Sequence, residues 1–180
     1  VLITPETRQL PDLALRCGPD AIDRVFHWQG DSRLFLAIIK SYEDLFNAER
    51  DCLDDQVRVI ILVEDSPHFY SAYLPLIYTE ILAQTRALIA EGLSDDEKLN
   101  RMSTRPKILL AGTYEEAEAL YMKYRANVLG VISDIRYPRD GKLDGQAGFA
   151  FTSLVKNDNP DVPVLLQSHD TAFADQAAAM

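Results

Sequence analysis

Three stretches constrain this chain more than any other feature: VRVIILVEDS (57–66), VLGVISDIRYPRDG (128–141) and VPVLLQSHD (162–170). Each is an apolar, β-branched run that ends in polar residues. Nearly continuous apolar runs of this length suit parallel strands covered on both faces. Ligands of open α/β sheets collect outside the carboxyl ends of such strands. Glu64, Asp65, Asp134 and Ser168 are therefore expected at one sheet edge. Two acids, a third acid one strand away and a hydroxyl form a donor set for magnesium and a phosphoryl group.

The segments between the runs read as helices. Ser66 followed by Pro67 gives an N-cap and a proline at the first helical position. Phe69, Tyr70, Tyr73, Leu74, Ile77, Ile81, Leu82, Leu88 and Ile89 then recur at three- and four-residue spacing up to Gly92. Pro75 predicts a kink in this helix. Tyr73, Leu74 and Ile77 are assigned to the core, whereas Phe69 and Tyr78 suit either a core or a docking face. Residues 93–105 are polar and punctuated, a short helix or an ordered loop. A strand follows over 106–112, Thr113 caps a helix whose Tyr114, Ala117, Leu120, Tyr121 and Tyr124 face inward, and 128–133 is the next strand. A helix over 148–158 precedes Pro160, and 162–167 is the last strand. Strands alternating with helices build βαβ units and hence an α/β fold with a doubly wound parallel sheet.

The formal net charge of −10 over 180 residues argues against a nucleic-acid or anionic-membrane partner. No apolar stretch approaches the length of a membrane span, and the N-terminus lacks the pattern of a signal peptide, so cytoplasm is the expected location. Cys17 and Cys52 show no metal or CxxC spacing and are read as reduced thiols. The chain begins at Val1 within an apolar run, as an excised piece of a longer protein would. His169 would stand at the rim of the expected pocket in a steric or hydrogen-bonding role; His27 and His68 carry no assignment, and Trp28 is read as a packed aromatic. Arg136, Arg139 and Lys142 suit a solvated turn over an anion pocket.

The acidic pair after the first strand (Glu64, Asp65), the aspartate after the third with proline four residues on (Asp134, Pro138) and then Gly141, and the hydroxyl after the fourth (Ser168) occur in the order and spacing of response-regulator receiver domains, which this chain resembles. The stretches VRVIILVEDSPHFYSAYLPLIYTEI, RPKILLAGTYEEAEALYMKY and GVISDIRYPRDGKLDGQAGFAF are similar to the second of the tandem receiver-like domains at the N-terminus of some phosphoenolpyruvate synthase or pyruvate phosphate dikinase-like proteins. Residues 1–50 resemble the closing strand and helix of a first such domain, and 57–180 a second domain that stops after its fourth strand.

The resemblance implies a flavodoxin-like receiver fold and a regulatory module of a phosphorelay or phosphotransfer protein. Asp134 would be the phosphoacceptor, Ser168 would contact the phosphoryl group, and Glu64, Asp65, Asp134 and the backbone carbonyl of Arg136 would hold Mg2+. A histidine kinase or other phosphodonor and an attached or partner phosphotransfer enzyme would be its partners, with a homodimer also in view. Residues 24–28 and 31–48 could supply the absent fifth strand and helix by permutation, within one chain or by swapping, which would bring Trp28 near the position of the receiver lysine. That lysine has no counterpart here, and the connection over 64–105 is long. Both features suit the alternative, a pseudo-receiver that takes no phosphate and serves as a docking or dimerisation domain. No glycine-rich phosphate loop or phosphohistidine setting is present, so the piece itself is not read as a turnover enzyme.

Overall fold

The computed structural model describes residues 1–5, 22–90 and 105–168. In chain order these form β1 (Leu2–Thr4), β2 (Val25–His27), α1 (Arg33–Asp54), β3 (Val59–Val63), α2 (Pro67–Ala90), β4 (Lys107–Ala111), α3 (Tyr114–Tyr124), β5 (Val128–Asp134), β6 (Tyr137–Arg139), β7 (Lys142–Asp144), α4 (Ala147–Asp158) and β8 (Val164–Gln167). The main sheet has four strands in the order β4-β3-β5-β8, all parallel. The fold is α/β, as the alternating pattern predicts. No described helix is long and apolar enough to cross a membrane.

Strand alternation sends successive side chains to opposite faces, and here both faces are covered. Val59, Ile61 and Val63 of β3 and Leu109 and Ala111 of β4 join Ala117 and Tyr121 of α3 and Phe151 and Val155 of α4 in one buried cluster. Leu62, Ile108 and Leu110 point the other way, into a cluster with Tyr70, Leu74 and Tyr78 of α2 and Leu34 and Ala37 of α1. Two-sided cover is why these runs read as continuously apolar. Thr113 caps α3 as expected, its hydroxyl accepting from the Glu116 N–H. Pro75 lies within the continuous span of α2.

The outer edge of β4 is closed by charge. Asp44 of α1 is fully buried and accepts from Tyr78 Oη at 2.8 Å, from Arg105 Nη2 at 2.6 Å and from the backbone N–H of Ile108 at 2.9 Å. Lys107 pairs with Asp51 at 2.7 Å. Each buried charge at this edge thus meets a partner of opposite sign, which is the condition for retaining charge in an interior.

Within the chain, residues 24–28 and 31–48 do not complete the sheet. Val25–His27 pairs in parallel with Leu2–Thr4 in a separate two-stranded sheet, and α1 packs on α2 and β4. The reason lies in Phe26, which is fully buried against Tyr70 in an edge-to-face contact at 5.5 Å. Two further bonds fix β2 on α2: Tyr70 Oη donates to the Val25 carbonyl, and the His27 N–H donates to Ser71 Oγ at 2.9 Å. The outer edge of β8 carries no strand among the described residues. Trp28 consequently packs on Phe35 at 5.2 Å, far from the role of a receiver lysine.

The Arg139–Lys142 turn is more ordered than a solvated loop. It forms the β6–β7 hairpin, with Asp140 (φ 51°) and Gly141 (φ 72°) both left-handed, as a two-residue type I′ connection requires. Most of 93–105, together with Cys17 and His169, lies outside the described residues.

Candidate functional site

The site is built where β3 and β5 end side by side. Val63 and Ser133 are partners in the sheet, so the next residues, Glu64 and Asp134, emerge together, and Asp65 follows in the short link to α2. Carboxylate oxygens of Glu64, Asp65 and Asp134 lie within 4.8 Å of one another. This cluster of three oxygen donors could bind a metal ion.

Glu64 is the buried member, 2 % exposed. Its backbone N–H donates to the Ala111 carbonyl at 2.9 Å and extends the β3–β4 ladder by one step. One side-chain oxygen accepts from the Ser66 N–H at 3.1 Å and the other from Gln167 Nε2 at 3.2 Å. Burial pushes its carboxyl up to about 7, with the charges of Asp134 and Asp65 adding to the rise, while the bonds from Ser66 and Gln167 oppose it. Burial also raises Asp65, helped by Asp134 and opposed by its own backbone N–H and by the Arg136 guanidinium. A cation among the three acids would reverse these shifts by supplying the missing positive charge.

Asp134 ends β5 with one carboxylate oxygen accepting from the Ile135 N–H at 2.8 Å. Beneath it, Ser133 is fully buried and donates to the Asp134 carbonyl at 2.7 Å. Gly148 of α4 closes the floor: a Cβ there would meet the Asp134 carbonyl oxygen at 2.4 Å and Ile135 Cα at 2.7 Å. The Gly148 N–H donates to the Ile135 carbonyl at 2.9 Å. Only glycine permits this approach of helix to strand end.

Ser168 joins the acids. It is exposed and, with Glu64, Tyr73, Asp134 and Gln167, lines a small cavity of about 50 Å³. Asp65 and Glu64 also border a cleft of about 260 Å³ on the other side, shared with Arg24, Tyr70, Gly112 and Glu116. Glu116 accepts from the Gly112 N–H at 2.8 Å there.

Arg136 is exposed in the turn after β5, and its charge reaches Asp65. Arg139 is drawn elsewhere, over the Tyr114 ring at 4.3 Å and towards Asp144 at 3.9 Å. Lys142 is its cross-strand partner in the hairpin, so Arg136 is the one of these three basic residues whose charge acts on the acids. Lys107 cannot serve the acids either, since it stands at the opposite end of β4, with Asp51.

Sequence reasoning missed Gln167, Tyr73 and Arg24 as neighbours of the acids. Gln167 was findable from register, because a strand that ends at Ser168 beside β5 sets the residue before it opposite Asp134. Arg24 gave no local signal, for its place depends on where β2 docks. No protein-family model, curated protein or solved structure matches this chain.

Proposed function

We propose that the chain is a receiver-like regulatory module with a flavodoxin-like fold, phosphorylated on Asp134 in a magnesium-dependent reaction. The observation that carries this reading is the meeting of Glu64, Asp65 and Asp134 at the carboxyl ends of β3 and β5, with carboxylate oxygens within 4.8 Å, in a sheet of order β4-β3-β5-β8. Magnesium, an oxygen-seeking cation, would neutralise phosphoryl oxygens when held by these acids and by the carbonyl of Arg136. An Asp134 carboxylate oxygen attacks phosphorus, the bond from phosphorus to the donor's leaving group breaks, and its electron pair leaves with that group. Ser168 donates its hydroxyl to a phosphoryl oxygen, and Glu64 must be ionised for the acids to act together. The phosphodonor is a histidine kinase or a small acyl phosphate, and the module serves an attached or partner phosphotransfer enzyme.

The test is intact mass after incubation with magnesium and acetyl phosphate, beside an Asp134→Asn control. A phosphoryl adduct present in the parent and absent from the control supports the reading; no adduct with no magnesium binding sinks it.

One observation favours a second reading, a docking or self-associating module that takes no phosphate. On α1, Phe35, Ile39, Tyr42, Phe46, Glu49 and Leu53 follow alternating four- and three-residue spacing, the pattern of a helix–helix seam. Phe46 and Leu53 are each 76 % exposed, Ile39 62 % and Phe35 50 %. Antiparallel pairing with a second copy would oppose Phe35 to Leu53 and Tyr42 to Phe46, and would set Ile39 against Glu49, whose carboxylate is held by Lys123 at 2.8 Å. Sedimentation of the unphosphorylated chain decides this reading: a concentration-dependent dimer supports it, and a monomer throughout removes it.

A further inference from the structure

We propose that His27 and His68 form a chelating site for a late transition metal such as zinc, separate from the acidic cluster. Their Nδ1 atoms lie 3.1 Å apart, although the residues are 41 positions distant in sequence. His27 ends β2, and His68 lies in the first turn of α2. Two imidazole nitrogens bound to one tetrahedral zinc at 2.0–2.1 Å stand about 3.3 Å apart, and at a right angle about 2.9 Å. The observed separation falls between these values. The ring centroids are 5.0 Å apart with the planes tilted by 45°, closer than a straight-line contact between two ring edges would bring them, so the two nitrogens converge.

The tautomer is arranged for a ligand. His27 Nε2 lies 3.0 Å from the carbonyl oxygen of Pro5, an acceptor only, so Nε2 carries the proton and the neutral ring presents its Nδ1 lone pair towards His68. A ligating histidine characteristically donates its other N–H to a carbonyl in this way, which fixes ring orientation and raises basicity. Gln29 holds the second histidine, its Nε2 donating to the His68 carbonyl at 2.8 Å and lying 3.5 Å from His68 Nδ1, a contact the metal would displace. The base is rigid, since His27 N–H is bonded to Ser71 Oγ at 2.9 Å and Phe26 is buried. In the complex each neutral ring gives its Nδ1 lone pair to the metal and holds its single proton on Nε2; a proton on His68 Nδ1 in the metal-free chain is given up there as Nε2 takes one up, so the ring stays neutral.

The nitrogen donors select the metal class. Imidazole suits zinc, copper and nickel, whereas magnesium takes oxygen ligands. His68 is exposed, so ions and water can reach the remaining coordination positions. Occupancy would pin β2 to the start of α2, three residues from Asp65, without using any acid of the cluster.

Calorimetric titration of the chain with zinc chloride, in excess magnesium to fill the acidic cluster, tests the site. We expect one zinc per chain, binding weakened at least about tenfold in His68→Ala and retained in Glu64→Gln. Nitrogen-15 NMR of the histidine rings should show both Nδ1 signals shifting with zinc and the proton of each ring on Nε2 in the complex. Unchanged zinc affinity in a folded His68→Ala chain overturns the proposal, as does loss of zinc binding in Glu64→Gln, which would put the ion in the acidic cluster. No zinc binding by the parent chain would leave the pair as an Nδ1–H···Nδ1 hydrogen bond only and equally overturns it.

Discussion

Replacing Glu64 by glutamine should stabilise the metal-free protein, and by an amount that grows with pH. The carboxyl is raised from 4.5 to about 7 in the folded chain, so between those values the folded state holds a proton that the unfolded state has lost. Its contribution to stability is fully present below about 4.5 and disappears as pH rises through about 7. Integrated over that interval, the loss is about 3 kcal/mol, an upper limit because water relaxes around the charge. Glutamine keeps the acceptor for Ser66 N–H, and rotation of the Gln167 amide restores the second bond. Urea unfolding in chelator at pH 5, 6, 7 and 8 would show the two proteins separated by less than about 1 kcal/mol at pH 5 and by up to about 3 kcal/mol at pH 8, or about 6 to 12 °C in Tm at pH 8. Magnesium should then stabilise the parent at pH 8 and leave the glutamine variant unmoved, inverting their order once the ion is well above its Kd. Equal stabilities at pH 8 without metal would refute the claim that burial and neighbouring acids strain Glu64.

Gly148→Ala should cost about 3 kcal/mol in chemical denaturation, although the same change inside a helix ordinarily gains about 1 kcal/mol, because the added carbon meets backbone atoms of Asp134 and Ile135 that cannot swing aside. Asp44→Ala should cost about 3 to 5 kcal/mol by the same assay, since it strands the Arg105 guanidinium, the Tyr78 hydroxyl and the Ile108 N–H in the interior. Phe46→Glu with Leu53→Glu should change the stability of a single chain by less than about 0.5 kcal/mol per site, both side chains being 76 % exposed. The same pair should abolish any self-association seen by sedimentation.

β3 and β4 were legible because both of their faces are covered, which leaves an unbroken apolar run, and β3, β5 and β8 each lead into polar residues at the carboxyl end; β8 reads as apolar although Leu165 is 61 % exposed. For the same reason the meeting of Glu64, Asp65, Asp134 and Ser168 could be read from strand ends alone. Elements held by distant partners could not. β2 is three residues long, and nothing local tells whether Phe26 docks on α2 or beside β8; the Tyr70 and Ser71 contacts that decide it are more than forty residues away. Asp44 reads as a charge on a helix until Arg105 arrives 61 positions later. The β6–β7 hairpin was legible and overlooked: Asp140-Gly141 is the turn dipeptide that supplies two successive positive φ values.

The position of Asp134 is set from below as well as from beside. The Ser133 hydroxyl holds the Asp134 carbonyl, and the Gly148 N–H holds the next one along, so the first turn of α4 is locked to the peptide that carries the carboxylate. Glu64 couples the same point to β8 through Gln167. Charge placed among these acids therefore acts on three elements at once, the start of α2, the start of α4 and the end of β8. Of these, β8 is the sheet's outer strand and has no described neighbour beyond it. A change in ionisation or cation occupancy at Glu64 has its least resisted outlet there, because moving β8 breaks the pairing with β5 alone, whereas moving β3 would break two ladders and both buried clusters.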